Sequence, residues 1–483
     1  MAKSLAYIIL FLPLFCITAY LLPGKKQWLK PLQITALAIV TIAAALLWHA
    51  LFIKAPLHIN FGNWPVPYGV SFQFNIINVL LLLVFYCVCF AINLFSFADL
   101  DLKNQRSFYL AFWLLLFAIT GLLTTQDIFN FYVWVEVVLG SSLIVINTTT
   151  KKNIISLTHY AIFSILGTLL MLFGIAAIYT LVGALNYQSI ALFISTHPHS
   201  IIFSCIGLFV FSVFIKAAVF PLYFWLPKAY PDTSNSSTML LSSLVTKALI
   251  FSILNFFVLW RLYQFHTLVV ISIVLACLTM FFGVMGAANQ FNIKKILSFH
   301  IISQLGYILL AILVPGITGF VAMLFLLIHN IIVKTGLLMT SAVVENKFGT
   351  VELNNISELR HYSTFLSCIF LLFALSLAGF PPFSGFWAKL LLLKALVIAH
   401  DYIAVTIAII VSLYTLYSML KIWRMAYSEP SEAKKSGEIA AMTVLEYLPL
   451  IILMLLMLFI SLYPNIIIQA AMHAGIPFGE HSP

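Results

Sequence analysis

Apolar runs of about twenty residues recur along the whole chain, parted by brief polar breaks. Each is long enough to cross about 30 Å of hydrocarbon as a helix. Fourteen such runs can be drawn, at 4–22, 32–52, 73–97, 107–123, 127–147, 156–183, 201–226, 237–260, 267–288, 296–313, 316–343, 363–391, 402–427 and 443–463. The pattern predicts an all-α polytopic membrane protein with short connections, apart from 55–72, 345–362 and 428–442. The first run is followed by Pro23-Gly24-Lys25-Lys26, not by a small-residue cleavage site, so it is expected to remain as a span. Two runs carry interruptions. The seventh reads FSVFIKAAVFPLYFWLP, with Pro221 and Pro227, and the twelfth contains Gly379-Phe380-Pro381-Pro382. Proline lacks an N–H and clashes with the preceding turn, so both helices are expected to be broken.

Composition agrees with this pattern: 63% of the residues are hydrophobic and 8% charged, where a soluble domain carries about 25% charged residues. The net charge of +10 is explained by topology. Loops after odd-numbered runs hold Lys25, Lys26, Lys30, Lys103, Arg106, Lys151, Lys152, Lys228, Lys294, Lys295, Lys347, Arg360, Lys421, Arg424, Lys434 and Lys435, whereas loops after even-numbered runs hold only Lys54, Arg261 and Lys394. This bias places both termini on the outer side and removes nucleic acid as a partner. The six cysteines fall in apolar segments and form no CxxC pair, which speaks against iron–sulfur ligation and a disulfide framework.

Four basic residues are left inside the runs: Lys216, Lys247, Lys334 and Lys389. A lysine at the bilayer centre costs roughly 2.5–3.5 kcal/mol or more and marks a functional path by default. Snorkelling suits a lysine near a span end, but Lys216 and Lys247 each have about ten apolar residues on either side. Glu136, in DIFNFYVWVEVVLGSSLIVI, is the mid-membrane acid, with Asp127 at the edge of the same run. It is either held neutral, paired for structure, or poised to exchange a proton with a lysine. His329 and Lys334 share AMLFLLIHNIIVKTGLLMTS with Asn330 and Thr335, and read as a relay. His300, Ser303 and Gln304 form a weaker stripe that fits helix–helix hydrogen bonding equally well. Lys389 follows the second interruption, as the terminus of a relay or as an interfacial anchor. Lys294, Lys295, Lys151, Lys152 and Lys394 sit at span ends and read as topogenic charges.

Phe220-Pro221, Phe224-Trp225 and Lys228 match Phe380-Pro381-Pro382, Phe386-Trp387 and Lys389 in order. The two runs are five apart, an odd number, so repeats built on them would lie inverted in the membrane. No Gly-rich phosphate loop follows a strand, and no spacing suggests zinc or haem. No cofactor is expected, so the energy source is an ion gradient or a partner subunit.

The stretches Asp127-Ile128-Phe129-Asn130 with Glu136, Lys216 with FPLYFWLPKAYP, Lys247, KKILSFHIISQLGY, HNIIVKTGLL and SLAGFPPFSGFWAKLLLLKA together resemble the antiporter-like membrane subunits shared by respiratory complex I and Mrp-type cation/proton antiporters. GNWPVPYGVSF and SLYTLYSMLKIWRMAY resemble the D-type members of the Mrp branch. The resemblance implies two inverted five-helix repeats, giving N-terminal helices in 1–106, a first repeat in 107–260, a second in 261–427, and a cytoplasmic loop with a last helix in 428–483. It implies a proton relay through Glu136, Lys216, Lys247, His329 and Lys389, which Lys334 joins by its place beside His329. It also implies hydrophobic partner subunits, and protons and monovalent cations as cargo. The inner membrane of a bacterium is the expected location, with a redox-driven proton pump and a non-conducting scaffold as rivals. The sequence departs from the pattern at Asn75 and Lys228, where the family usually has acids, and at 232–237, where a proline-bearing stretch is altered.

Overall fold

The computed structural model describes residues 2–22, 29–64, 69–100, 102–149, 154–197, 201–357, 359–428 and 441–474. Lys25, Lys26, Lys151, Lys152, Lys434 and Lys435 from the charge count, and 65–68 of the GNWPVPYGVSF stretch, lie outside them.

The chain is a bundle of antiparallel helices. In order these are α1 (Ala2–Leu21), α2 (Leu29–Leu51), α3 (Ile76–Asp99), α4 (Leu102–Thr124), α5 (Ile128–Thr149), α6 (Ile154–Val182), α7 (Tyr187–Thr196), α8 (Ile202–Lys216), α9 (Leu226–Ala229), α10 (Asn235–Leu259), α11 (His266–Ala288), α12 (Ile293–Leu313), α13 (Ile317–Phe348), α14 (Leu359–Tyr362), α15 (Thr364–Ala378), α16 (Ser384–Ile398), α17 (Tyr402–Ile422), α18 (Val444–Leu462) and α19 (Asn465–His473). Twelve are long and apolar enough to cross a membrane, and α8 and α15 are shorter apolar helices. Those two are the runs in which the sequence places breaks, and each resumes beyond a gap as α9 or α16. The fourteen expected spans are thereby accounted for. α17 continues into a π-helical turn over Trp423–Ser428.

Three regions differ from the sequence expectation. The loop at 55–72 holds a hairpin of β1 (Leu57–Asn60) against β2 (Ser71–Phe74). The interval after the sixth span is not a short loop, because α7 occupies it. The eleventh span, α13, runs on to Phe348, closed by Gly349 in the left-handed region (φ 71°). Its 32 residues give a length of about 48 Å, well beyond the hydrocarbon core.

α13 is wholly enclosed, and α12 and α10 nearly so, while α6 and α17 turn most of their surface outward. A helix enclosed on every side is apolar around its circumference, so polar groups on α10, α12 and α13 meet one another in the interior. Elsewhere helices are tied by buried side-chain pairs. Asn93 donates to Gln33 between α3 and α2 (2.7 Å), and Tyr86 bonds Thr120 between α3 and α4 (2.8 Å). Without a hydrophobic driving force between spans, such bonds and close packing hold the bundle together.

The segment at 232–237, where the sequence is altered, forms a cap. Ser234 accepts from Ser237 N at the start of α10. Asp99, at the end of α3, accepts from Ser236 N (2.8 Å), Ser236 Oγ (2.7 Å) and Asn235 Nδ2 (3.1 Å). A carboxylate at a helix N-terminus satisfies orphan donors and complements the helix dipole. Asn75 does the same for α3, its Oδ1 accepting from Ile77 N and Asn78 N.

Candidate functional site: a broken-helix lysine and a line of buried polar groups

α8 ends at Lys216 because the following backbone leaves the helix. Ala218 sits in the left-handed region (φ 58°), and Val219 N turns back to Phe214 O (3.0 Å). Pro221 cannot donate, and the Phe220 amide is taken by Thr279 Oγ1 on α11 (3.0 Å). Trp225 Nε1 donates to Ile215 O (3.3 Å). Freed backbone groups inside a membrane protein persist only where neighbours satisfy them in this way. Lys216 therefore stands at the end of a helix, in the interior, only 6% exposed.

Glu136 on α5 lies opposite it, and a residue not singled out in the sequence stands between them. Lys216 Nζ donates to Thr168 Oγ1 (2.6 Å), and Thr168 Oγ1 donates to Glu136 Oε1 (2.6 Å). The direct Nζ–Oε1 separation is 3.7 Å. The hydroxyl can accept a proton from the ammonium while passing its own to the carboxylate. The outcome is a neutral amine and a neutral acid, with no charge carried across a gap. Threonine in an apolar run reads as a helix-packing residue, which is why sequence alone passes over it. Gly167 is the one nearby signal: a Cβ there would come within 3.0 Å of Lys216 Cγ, so its absence makes room for the lysine stem.

Glu136 is not fully enclosed as expected; its side chain is 34% exposed. It lies on the outward side of α5, near the exposed residues Phe129 and Val133. α5 is a boundary helix, and periodicity within a span that is apolar all round gives no orientation.

The second break mirrors this chemistry with different parts. α15 closes at Gly379 (φ 91°), and Phe380 N turns back to Leu375 O (3.0 Å). This leaves Ala378 O outside the helix ladder. Lys389 Nζ reaches back from α16 to that carbonyl (2.6 Å) and to Ser412 Oγ on α17 (2.8 Å). A glycine again adjoins the lysine, since a Cβ on Gly379 would lie 2.8 Å from Lys389 Cδ. Lys228, which the motif match sets opposite Lys389, is exposed. The buried lysine precedes the first break and follows the second.

Between the breaks lie the other expected residues. Lys247 Nζ donates to Ser242 O within α10 (2.5 Å). Lys334 Nζ points to Leu297 O on α12 at 3.5 Å, and Lys247 and Lys389 are both within electrostatic range of it. His329 Nδ1 bonds Ser384 Oγ at the start of α16 (2.9 Å), which in turn bonds Ser376 Oγ (3.2 Å). Among the described residues no carboxylate lies within ion-pair distance of Lys247, Lys334 or Lys389. Thr246 Oγ1, Ser298 Oγ, both ring nitrogens of His300, Ser303 Oγ, Gln304 Nε2 and Asn330 Oδ1 are buried with no partner among the described residues. Buried polar groups are normally bonded, to protein or to water.

Burial and pairing add to the reading of two span-end residues. Lys294 is 4% exposed and paired with Glu345 of α13. Asp127 is a cap, its Oδ1 accepting from Asn130 N (2.7 Å) at the start of α5.

A bundle of twelve membrane-length helices and two interrupted ones, with interior lysines, defines a multi-pass membrane protein of transporter type. Residues 125–415 match the NADH:quinone oxidoreductase/Mrp antiporter transmembrane family, and the chain belongs to that family. It is 32% identical to the D-type Na(+)/H(+) antiporter subunit of Alkalihalophilus pseudofirmus over 76% of each chain. It is 30% identical to the protein of the same name in Bacillus subtilis, over 88% of this chain and 87% of the relative. Its fold matches a chain in the structure of the Mrp complex from Dietzia sp. with a TM-score of 0.89, at 24% identity, over 98% of this chain and 96% of that one.

Proposed function

We propose that the protein is the proton-translocating membrane subunit of a multisubunit Na⁺(K⁺)/H⁺ antiporter, a transporter component and not an enzyme. The observation that carries this is the unbroken line Lys216–Thr168–Glu136 at a helix break, two contacts of 2.6 Å each. From there the path runs through Lys247, Lys334 and His329 to Lys389, with water bridging the unpartnered groups of α12. The subunits named in the relatives support monovalent cations as the counter-cargo. The outward-facing Glu136 supports a neighbouring subunit as the place where the path continues. We place the chain in the plasma membrane of a bacterium with both termini outside, on the strength of the lysine and arginine bias, and assign 107–260 and 261–427 as the two inverted repeats.

The test is cation-driven ΔpH in vesicles from cells making the complete set of subunits. Glu136→Ala should lower the initial rate to background at wild-type abundance, and wild-type rates in the variant would reject the proposal. The family also includes NADH:quinone oxidoreductase subunits. Co-purification of flavin and iron–sulfur proteins with the chain would decide for that redox-driven reading.

A further inference from the structure

A cavity of about 490 Å³ lies between α7 and the end of α10, remote from the proton path. Ser195, Arg261 and Gln264 supply its polar side chains, and Leu192 and Leu259 are among its apolar residues. Three observations bear on what it holds. Arg261 is one of only three basic residues in loops on the side of the membrane that otherwise lacks them, so topology does not explain it. It occupies the position just past the helix end, in the left-handed region (φ 51°), where glycine would be unstrained and arginine is not. Among the described residues its guanidinium meets no carboxylate.

Arg261 is thus a cation without an anionic partner, at the end of a membrane-spanning helix where headgroups lie. The mouth is apolar: Leu192 is 67% exposed and Leu259 36%. A phosphate supplies the missing anion, and acyl chains cover the leucines. We infer that this cavity binds the phosphate of an anionic phospholipid, held by Arg261 with its tail along α7. The inference rests only on the multi-pass placement of the chain, so it survives or fails independently of the proton path.

The test uses the full chain purified in mild detergent and stripped of lipid. Binding of phosphatidylglycerol, phosphatidylcholine and inorganic phosphate is compared by native mass spectrometry and by thermal unfolding. Phosphatidylglycerol should bind roughly tenfold more tightly than phosphatidylcholine and raise the unfolding midpoint. Arg261→Gly suits the local backbone and should fold at least as well without lipid, yet lose the preference. Arg360→Gln, the same charge change at a distant exposed arginine, should keep it. Equal binding of the two lipids, or a preference retained in Arg261→Gly, would overturn the assignment. A midpoint shift reproduced by inorganic phosphate alone would overturn the lipid as its source.

Discussion

Lys216 and Thr168 stand 2.6 Å apart where α8 breaks off against α6, and the threonine hydroxyl is the link between the lysine and Glu136. Valine has the shape of threonine without the hydroxyl. Thr168→Val should therefore leave the bundle folded and slow cation-driven proton transport at least about tenfold, equivalent to about 1.4 kcal/mol on the barrier. Thr168→Ser should restore most of the rate. Equal losses in both variants would mean that the residue acts through packing.

Ser412 and the Ala378 carbonyl are the two acceptors of Lys389. Ser412→Ala removes one of them and leaves the lysine in place. A net hydrogen bond is worth roughly 1 kcal/mol and about twice that with a charged partner, so the transport rate should fall about fivefold or more, without loss of protein from the membrane. The same vesicle assay reads it, and an unchanged rate would take Ser412 out of the path.

Asp99 holds the first turn of α10, the helix that carries Lys247. Asp99→Ala leaves Ser236 N and Asn235 Nδ2 without that acceptor, at a cost of about 2 kcal/mol. Unfolding of the purified chain should come at lower temperature, whereas transport per folded molecule should change little. Asp99→Asn should recover part of the stability, since its amide oxygen still accepts.

The Lys294–Glu345 pair joins the start of α12 to the end of α13. Removing one member of a fully buried pair costs roughly 3–5 kcal/mol. Glu345 is about a quarter exposed, so about 2 kcal/mol is expected for Lys294→Met. Adding Glu345→Gln should return much of that. Additive losses would show that the two residues do not stabilise each other.

Most of the fold was legible in the sequence because hydrocarbon imposes a length on every span and proline marks where a span cannot continue. The two interruptions came from Pro221 and from Gly379-Phe380-Pro381-Pro382, and the four interior lysines from their cost in the bilayer. What escaped depends on tertiary approach. Thr168 matters only because α5 and α8 close on either side of it. Lys294 looks like any span-end charge until Glu345 is seen beside it. Asp99 caps a helix more than a hundred residues away, at Ser236. The β1–β2 hairpin before the third span and the helix α7 lie almost wholly outside the spans, where the twenty-residue rule says nothing.

The proposed path sends protons through the lysine at the first break. Lys216→Met keeps the length and volume of the side chain and removes its proton. Initial cation-driven ΔpH, normalised to assembled complex in vesicles, should fall to the level of vesicles lacking the protein. A wild-type rate in Lys216→Met would take Lys216 out of the proton path.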